Sequence, residues 1–245
     1  MKSIAILPAR FASTRFPGKM LQELGGKPLI VQTYLATLRT GLFDEVIVVT
    51  DHDDIEEAVV AAGARCFRST REHESGSDRI AEVIADLEVD VVVNVQGDEP
   101  FIDQEALAQL VDVFKKDTKQ QIDVASLMRP ITDLAAVQNP NNVKVVVDEQ
   151  QRALYFSRAA IPFQRDSGDV PTYFHHIGVY AYRKEALLQF TTWPVSRLEY
   201  IEKLEQLRYL EHGKRIQMVQ TQHLGIGVDT PDDLARAQAA WPSSN

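Results

Sequence analysis

Apolar positions follow two rhythms along the chain. Short runs of strand length, SIAILP (3–8), EVIVVT (45–50), ARCF (64–67), DVVVNVQ (90–96) and DVASLM (123–128), are separated by stretches with a helical period. The spacing predicts helices over about 28–39, 53–62, 77–88 and 104–117. Strands that are apolar throughout and alternate with helices predict a parallel sheet covered on both faces, an α/β fold.

After Pro130 the rhythm changes. A turn at NPNN (139–142) and strand-like VKVVVD (143–148), ALYF (153–156) and HIGVYAY (176–182) lie too close together for βαβ units. A mixed or antiparallel segment is expected, forming a second lobe. QRDSGDVPTY (164–173), rich in Gly, Pro, Asp and Ser, predicts a mobile loop. Helices near 197–212 and 231–241, around strand-like RIQMVQT, close the chain. The division read from this pattern is a core of 1–128 plus 214–245 and a smaller mixed α/β lobe of 129–213.

The 245 residues, 44% of them hydrophobic, suffice for one such core with a modest lobe. With 26 basic against 35 acidic side chains the formal charge is −9, which argues against nonspecific binding to nucleic acid or an anionic membrane surface. The apolar runs are strand-sized, so no transmembrane helix is expected. The opening MKSIAILPARF breaks before signal-peptide length, and a cytoplasmic location is expected. Cys66, the one cysteine, has no internal disulfide partner and reads as packing.

Residues 1–22 stand out against this acidic background, holding Lys2, Arg10, Arg15 and Lys19 and no Asp or Glu. The loop LPARFASTRFPGK (7–19) leaves the first strand with Ser13, Thr14, Gly18 and three cations. Backbone N–H groups and cations in such a loop suit a triphosphate; the bland alternative is a solvated surface loop. The Walker A spacing and GxGxxG are both missing.

In a doubly wound sheet ligands collect beyond the carboxyl ends of the strands. Asp98 in NVQGDEP and Asp229 in GIGVDTPDD both follow strand-like runs. Two carboxylates plus substrate phosphates and water make a plausible Mg²⁺ site. Helix capping competes for the second segment, with Thr230 as cap, Pro231 at the first helical position and Asp233 completing a capping box, yet Asp229 stays free to bind metal. HESGSDR (73–79) offers Ser75, Gly76 and helix N-terminal amides to a base or phosphate, or Ser77 as an ordinary cap. The second lobe places Lys144, Arg158, and His176 with Tyr180 four residues on. Glu199, Glu202 and Gln206 share one helical face, either solvated or facing a polyhydroxylated sugar.

PARFASTRFPGK, HESGSDR, NVQGDEP, NPNNVKVV, LYFSRAAIP, HIGVYAY, LEYIEKLEQLR and GVDTPDDL, in this order across nearly the whole chain, resemble the 3-deoxy-manno-octulosonate (Kdo) cytidylyltransferases. The resemblance implies a Rossmann-like nucleotidyltransferase core of the glycosyltransferase-A type, with a smaller lobe for sugar binding and homodimer contacts. It implies Mg²⁺-dependent transfer of CMP from CTP to the anomeric hydroxyl of Kdo or its 8-amino-8-deoxy analogue, with release of pyrophosphate, for lipopolysaccharide biosynthesis. By the same carry-over Arg10, Ser13 and Lys19 hold the triphosphate, and Gln96 with Ser75, Gly76 and Arg79 face cytosine and ribose. Asp98 and Asp229 hold the metal, with Arg10, Lys19 and both aspartates as the catalytic group. Lys144, Arg158, His176, Tyr180, Glu199 and Gln206 lie on the sugar side, Arg158 toward the sugar carboxylate. The family's DHxSGTER stands here as EHESGSDR, with Glu72, Ser77 and Asp78 preserving the charge pattern. A noncatalytic nucleotide-binding regulator and another nucleotide-sugar enzyme on the same fold are the alternatives.

Overall fold

SIAILPA forms β1 (Ser3–Ala9), buried along almost its whole length because neighbouring strands flank it on both edges. EVIVVT forms β4 (Glu45–Thr50), in parallel register with β1 from Ile4↔Glu45 to Ala9↔Thr50. VVVN forms β6 (Val91–Asn94), parallel to the other edge of β1. RCFR forms β5 (Arg65–Arg68), parallel to β4. The resulting order β6-β1-β4-β5 reverses direction across the sheet at β1, so the chain exits of β1 and β6 lie beside a topological switch point.

The computed structural model describes residues 1–12, 15–71, 73, 75–166, 168, 171–222, 225 and 227–242. Two compact units emerge, Met1–Leu107 with Leu224–Asn245, and Ala108–His223. The first holds the parallel strands with helices α1 (Leu29–Arg39), α2 (Asp53–Ala61) and α3 (Gly76–Ile84), and C-terminal α9 (Pro231–Ala240). It also holds a hairpin of β2 (Glu23–Leu24) and β3 (Lys27–Pro28), where Gly25 and Gly26 both take positive φ, as a tight two-residue turn requires. The boundary at Leu107 lies within α4 (Gln104–Lys116).

In the second unit β7 (Val124–Ile131) runs antiparallel to the long β10 (Tyr173–Arg183) and parallel to β11 (Ile216–Gln220). β8 (Lys144–Val147) pairs antiparallel with β10 and with β9 (Ala153–Ser157). The closely spaced strands are therefore antiparallel, as their spacing predicts. The division differs from 128/129 and 213/214: β7 and most of α4 fall in the second unit, because β7 takes both its partners, β10 and β11, from there. Two helices escape the sequence pattern, α5 (Leu134–Gln138) and α6 (Lys184–Phe190).

The helix expected over 197–212 is two, α7 (Arg197–Glu202) and α8 (Gln206–Glu211). Lys203 takes a left-handed conformation (φ 55°), and the Arg158 guanidinium hydrogen-bonds the carbonyls of Glu202 and Lys203 that a continuing helix would satisfy. Of the loop predicted over 164–173, Ser167, Asp169 and Val170 lie outside the described residues, and Tyr173 opens β10. Among the described residues no helix is long and apolar enough to cross a membrane.

Candidate active site

The loop leaving β1 folds back on itself. The Gly18 amide donates to the Phe11 carbonyl (3.2 Å), Gly18 takes φ +67°, and Lys19–Leu21 then form a 3₁₀ turn. This turn sinks Lys19 into the protein while Arg10, at the exit of β1, stays exposed. Ser13, expected among the triphosphate ligands, lies outside the described residues.

Three segments distant in sequence meet at the Lys19 ammonium. It donates to the Asp98 carboxylate, and to Asp229 Oδ1 at 2.9 Å. Arg15 donates to the other oxygen of Asp229 at 3.0 Å. Burial by itself would lower the Lys19 pKa; the adjoining Asp98 and Asp229 outweigh it and hold the ammonium above its ordinary value. Asp229 is placed by the predicted cap: Thr230 caps α9, Pro231 stands in its first turn, and Asp233 closes the capping box. The Asp98 carbonyl accepts from the Val228 amide (2.9 Å), which ties the loop after β6 to the segment carrying Asp229.

Two neighbours of Asp98 carry signals that the sequence reading missed. Gly97 packs so closely that a Cβ there would lie 2.9 Å from the Pro8 carbonyl oxygen and 3.0 Å from Ile30, so only glycine lets this loop pass the end of β1. Glu99 is pushed up to about 7 by burial, reinforced by the charges of Asp98 and Asp229. The post-strand position of NVQGDEP was legible; the crowding of three carboxyl groups was not. Gln96, half-buried, stands directly before this loop, its carbonyl accepting from the Glu99 amide.

α3 begins nearby, with Ser75 rather than Ser77 as its cap: the Ser75 hydroxyl accepts from the Asp78 amide and donates to its carboxylate. Gly76 opens the helix against Pro8 of β1. Arg79 is buried, donates to Asp51 at 2.6 Å, and its other terminal nitrogen is buried with no hydrogen-bond partner among the described residues. Such an orphaned guanidinium nitrogen marks a place where a ligand acceptor would be welcome. Beside it Phe11 stacks on His52, ring centroids 3.9 Å apart and planes nearly parallel. Cys66 is pushed up to about 11 by burial, consistent with packing.

The residues expected on the sugar side all fall in the second unit. His176 is buried, its ring held between the Ser126 hydroxyl (3.0 Å) and Gln206, and tilted against Tyr180. Two of these side chains are turned inward. Lys144 is fully buried and spends its ammonium on three carbonyls, of Asn139, Asn142 and Arg158, because the NPNN turn wraps over it. Glu199 is buried with both carboxylate oxygens on Arg208, at 2.7 and 2.6 Å, while closing a capping box with Ser196. The polar face expected of this helix is correspondingly turned inward, and Tyr200 and Ile201 are exposed. Arg158 faces carbonyls of Glu202, Pro140 and Lys203, and Glu202 returns its carboxylate to Ser157 and to the Arg158 amide.

Residues 4–216 match the family described as Cytidylyltransferase. A 3-deoxy-manno-octulosonate cytidylyltransferase from Flavobacterium johnsoniae is 59% identical, over 98% of this chain and 98% of that one. Another, from Christiangramia forsetii, is 50% identical over 96% of this chain and 95% of its own. Among solved structures, CMP:2-keto-3-deoxy-manno-octonic acid synthetase in complex with CTP is 38% identical, covers 98% of each chain and superposes with a TM-score of 0.92. Relatives of this identity, aligned from end to end over the same α/β architecture, place the chain in the 3-deoxy-manno-octulosonate cytidylyltransferase family of nucleotidyltransferase enzymes.

Proposed function

We propose that the protein transfers CMP from CTP to the anomeric hydroxyl of Kdo or of its 8-amino-8-deoxy analogue, releases pyrophosphate, and supplies lipopolysaccharide synthesis in the cytoplasm. The observation that carries this reading is the convergence of Asp98 and Asp229 on Lys19 at the switch point of the sheet. The named activities of the relatives supply the substrates.

The donor set fits Mg²⁺. Two aspartates already share one cationic centre. Mg²⁺ binds one or two carboxylates and completes its shell with water and phosphates. Asp98 and Asp229 would hold it; when bound it would acidify the attacking hydroxyl and offset phosphate charge.

The protein's own work is placement. Lys19 and Arg10 stabilise negative charge as it moves toward pyrophosphate, Gly97 fixes the path of the Asp98 loop, and Arg79 offers a guanidinium donor to the nucleotide. Gln96, Ser75 and Gly76 complete the nucleotide side, and Arg158, His176, Tyr180 and Gln206 the sugar side. The hydroxyl attacks the α-phosphorus in line and pyrophosphate departs opposite, with no covalent enzyme intermediate. A homodimer belongs to the same reading, and sedimentation tests it as a mass near twice 27.5 kDa.

Asp98→Asn and Asp229→Asn are expected each to lose at least about 10²–10³ in turnover while unfolding like the parent chain. Pyrophosphate release is measured with CTP, Mg²⁺ and each acceptor in parallel. Near-normal turnover in either variant removes that residue from the site. CTP binding without pyrophosphate release from either sugar would instead favour a noncatalytic regulator.

A further inference from the structure

Within the first unit, lined by none of the residues of the Lys19 cluster, lies a cavity of about 590 Å³. Its walls are the outer side of α1 (Gln32, Leu35, Ala36, Arg39, Thr40), the β2–β3 hairpin (Gly25, Lys27), the segment Pro100–Ile102 with Gln104, and Trp241–Pro242 after α9. This volume lies within the range of small-molecule sites, roughly 300–1,000 Å³.

The lining has a marked chemical bias. Phe101 and Trp241 meet edge to face, centroids 5.4 Å apart, and present an aromatic wall. Its position is fixed from behind, since both rings pack on the buried cluster of Leu24, Leu29, Val228 and Ala237. The hairpin yields to the indole as well: a Cβ on Gly25 would fall 2.1 Å from Trp241 Nε1. Lys27 and Arg39 are both exposed, and neither forms an ion pair among the described residues. No Asp or Glu lines the cavity, although the chain carries a formal charge of −9. Two uncompensated cations beside an aromatic wall suit a ligand with negative charge at one end and a flat ring at the other.

We propose that this cavity is a second ligand site, separate from the Lys19–Asp98–Asp229 cluster, for a small organic anion that joins a planar ring to a phosphate group. The ring lies against Trp241 and Phe101, and the phosphate is drawn in by the cations of the rim, Lys27 before α1 and Arg39 at its far end. The proposal stands apart from the nucleotidyltransferase reading, because none of the residues named for that reaction lines the cavity.

The chain has two tryptophans, so Trp193→Phe leaves Trp241 as the only indole reporter. Phenyl phosphate and inorganic phosphate are titrated into this variant, and calorimetry on the unsubstituted chain repeats both titrations. The expected result is a saturable change in Trp241 emission with phenyl phosphate at a Kd below about 1 mM, and binding of inorganic phosphate at least about tenfold weaker. Lys27→Glu with Arg39→Glu is expected to weaken phenyl phosphate at least about tenfold while leaving pyrophosphate release unchanged. An unsaturable response, equal binding of inorganic phosphate, or unchanged affinity in the charge-reversed chain overturns the proposal.

Discussion

The Lys19 cluster of the first unit and the Arg208–Glu199 pair of the second use the same kinds of side chain to opposite ends. Around Lys19 one ammonium, joined by Arg15, serves two aspartates, Asp229 is about half exposed, and burial, reinforced by the charges of Asp98 and Asp229, pushes the neighbouring Glu99 up to about 7. Around Arg208 the account is closed: a guanidinium meets both oxygens of one carboxylate, and both partners are buried. An open cluster keeps carboxylate surface with which to meet a ligand. A closed pair holds the backbone where it is and has nothing left to give a substrate.

The largest effect expected from breaking this contrast is on the closed side. Glu199→Leu removes the carboxylate that meets the Arg208 guanidinium with both oxygens, and breaking a buried pair of this kind typically costs about 3–5 kcal/mol. Urea unfolding should show that loss, with CTP affinity of the folded fraction unchanged. The double variant Glu199→Leu with Arg208→Leu should recover most of it, since replacing both charges by apolar groups is often near neutral. A single variant as stable as the parent would show that the pair holds nothing.

The same contrast explains which parts of the molecule could be read in advance. β1, β4 and β6 are apolar throughout because they are buried on both faces, and that is a local property. Asp98 and Asp229 were legible as post-strand carboxylates, and the Thr230 cap from its own four residues. Contacts between distant segments were not. Nothing near Lys203 signals a helix break, because the donor that permits it, Arg158, comes from β9's end. Glu199 and Lys144 look like surface polar residues, and only Arg208 and the NPNN carbonyls reveal them as internal. Ser75 displaced Ser77 as cap because Asp78 stands at the right spacing to answer it.

A smaller effect is expected on the open side. Gly97→Ala puts a methyl group 2.9 Å from the Pro8 carbonyl, in a backbone whose own carbonyl is held by the Thr33 hydroxyl (2.9 Å). Overpacking of this kind costs about 1–3 kcal/mol. Because the loop carries Asp98, the shift should also reach catalysis as a raised KM for CTP, read by pyrophosphate release. A chain that loses stability with no change in KM would separate the loop's packing from its charge cluster.

The finest test lies in acid. His176 is depressed to about 3, first by burial and then by the charge of His175, itself depressed to about 4. A histidine whose folded pKa lies below its ordinary 6.5 binds its proton first in the unfolded chain. Its contribution to stability is therefore complete above pH 6.5 and is lost as pH falls from there toward 3. One proton corresponds to about 1.4 kcal/mol per pH unit within that window. The neighbours packed on the ring are Ser126, Gln206, Phe156 and Tyr180, and burial raises the Tyr180 phenol out of this range. His176→Phe should start less stable at pH 7.5, having lost the Ser126 hydrogen bond, and then decline more gently between pH 6.5 and 4, by up to about one proton. Equal slopes for His176→Phe and the parent chain would mean that the second unit admits the proton to His176 without unfolding, and its closed character would then not extend to this ring.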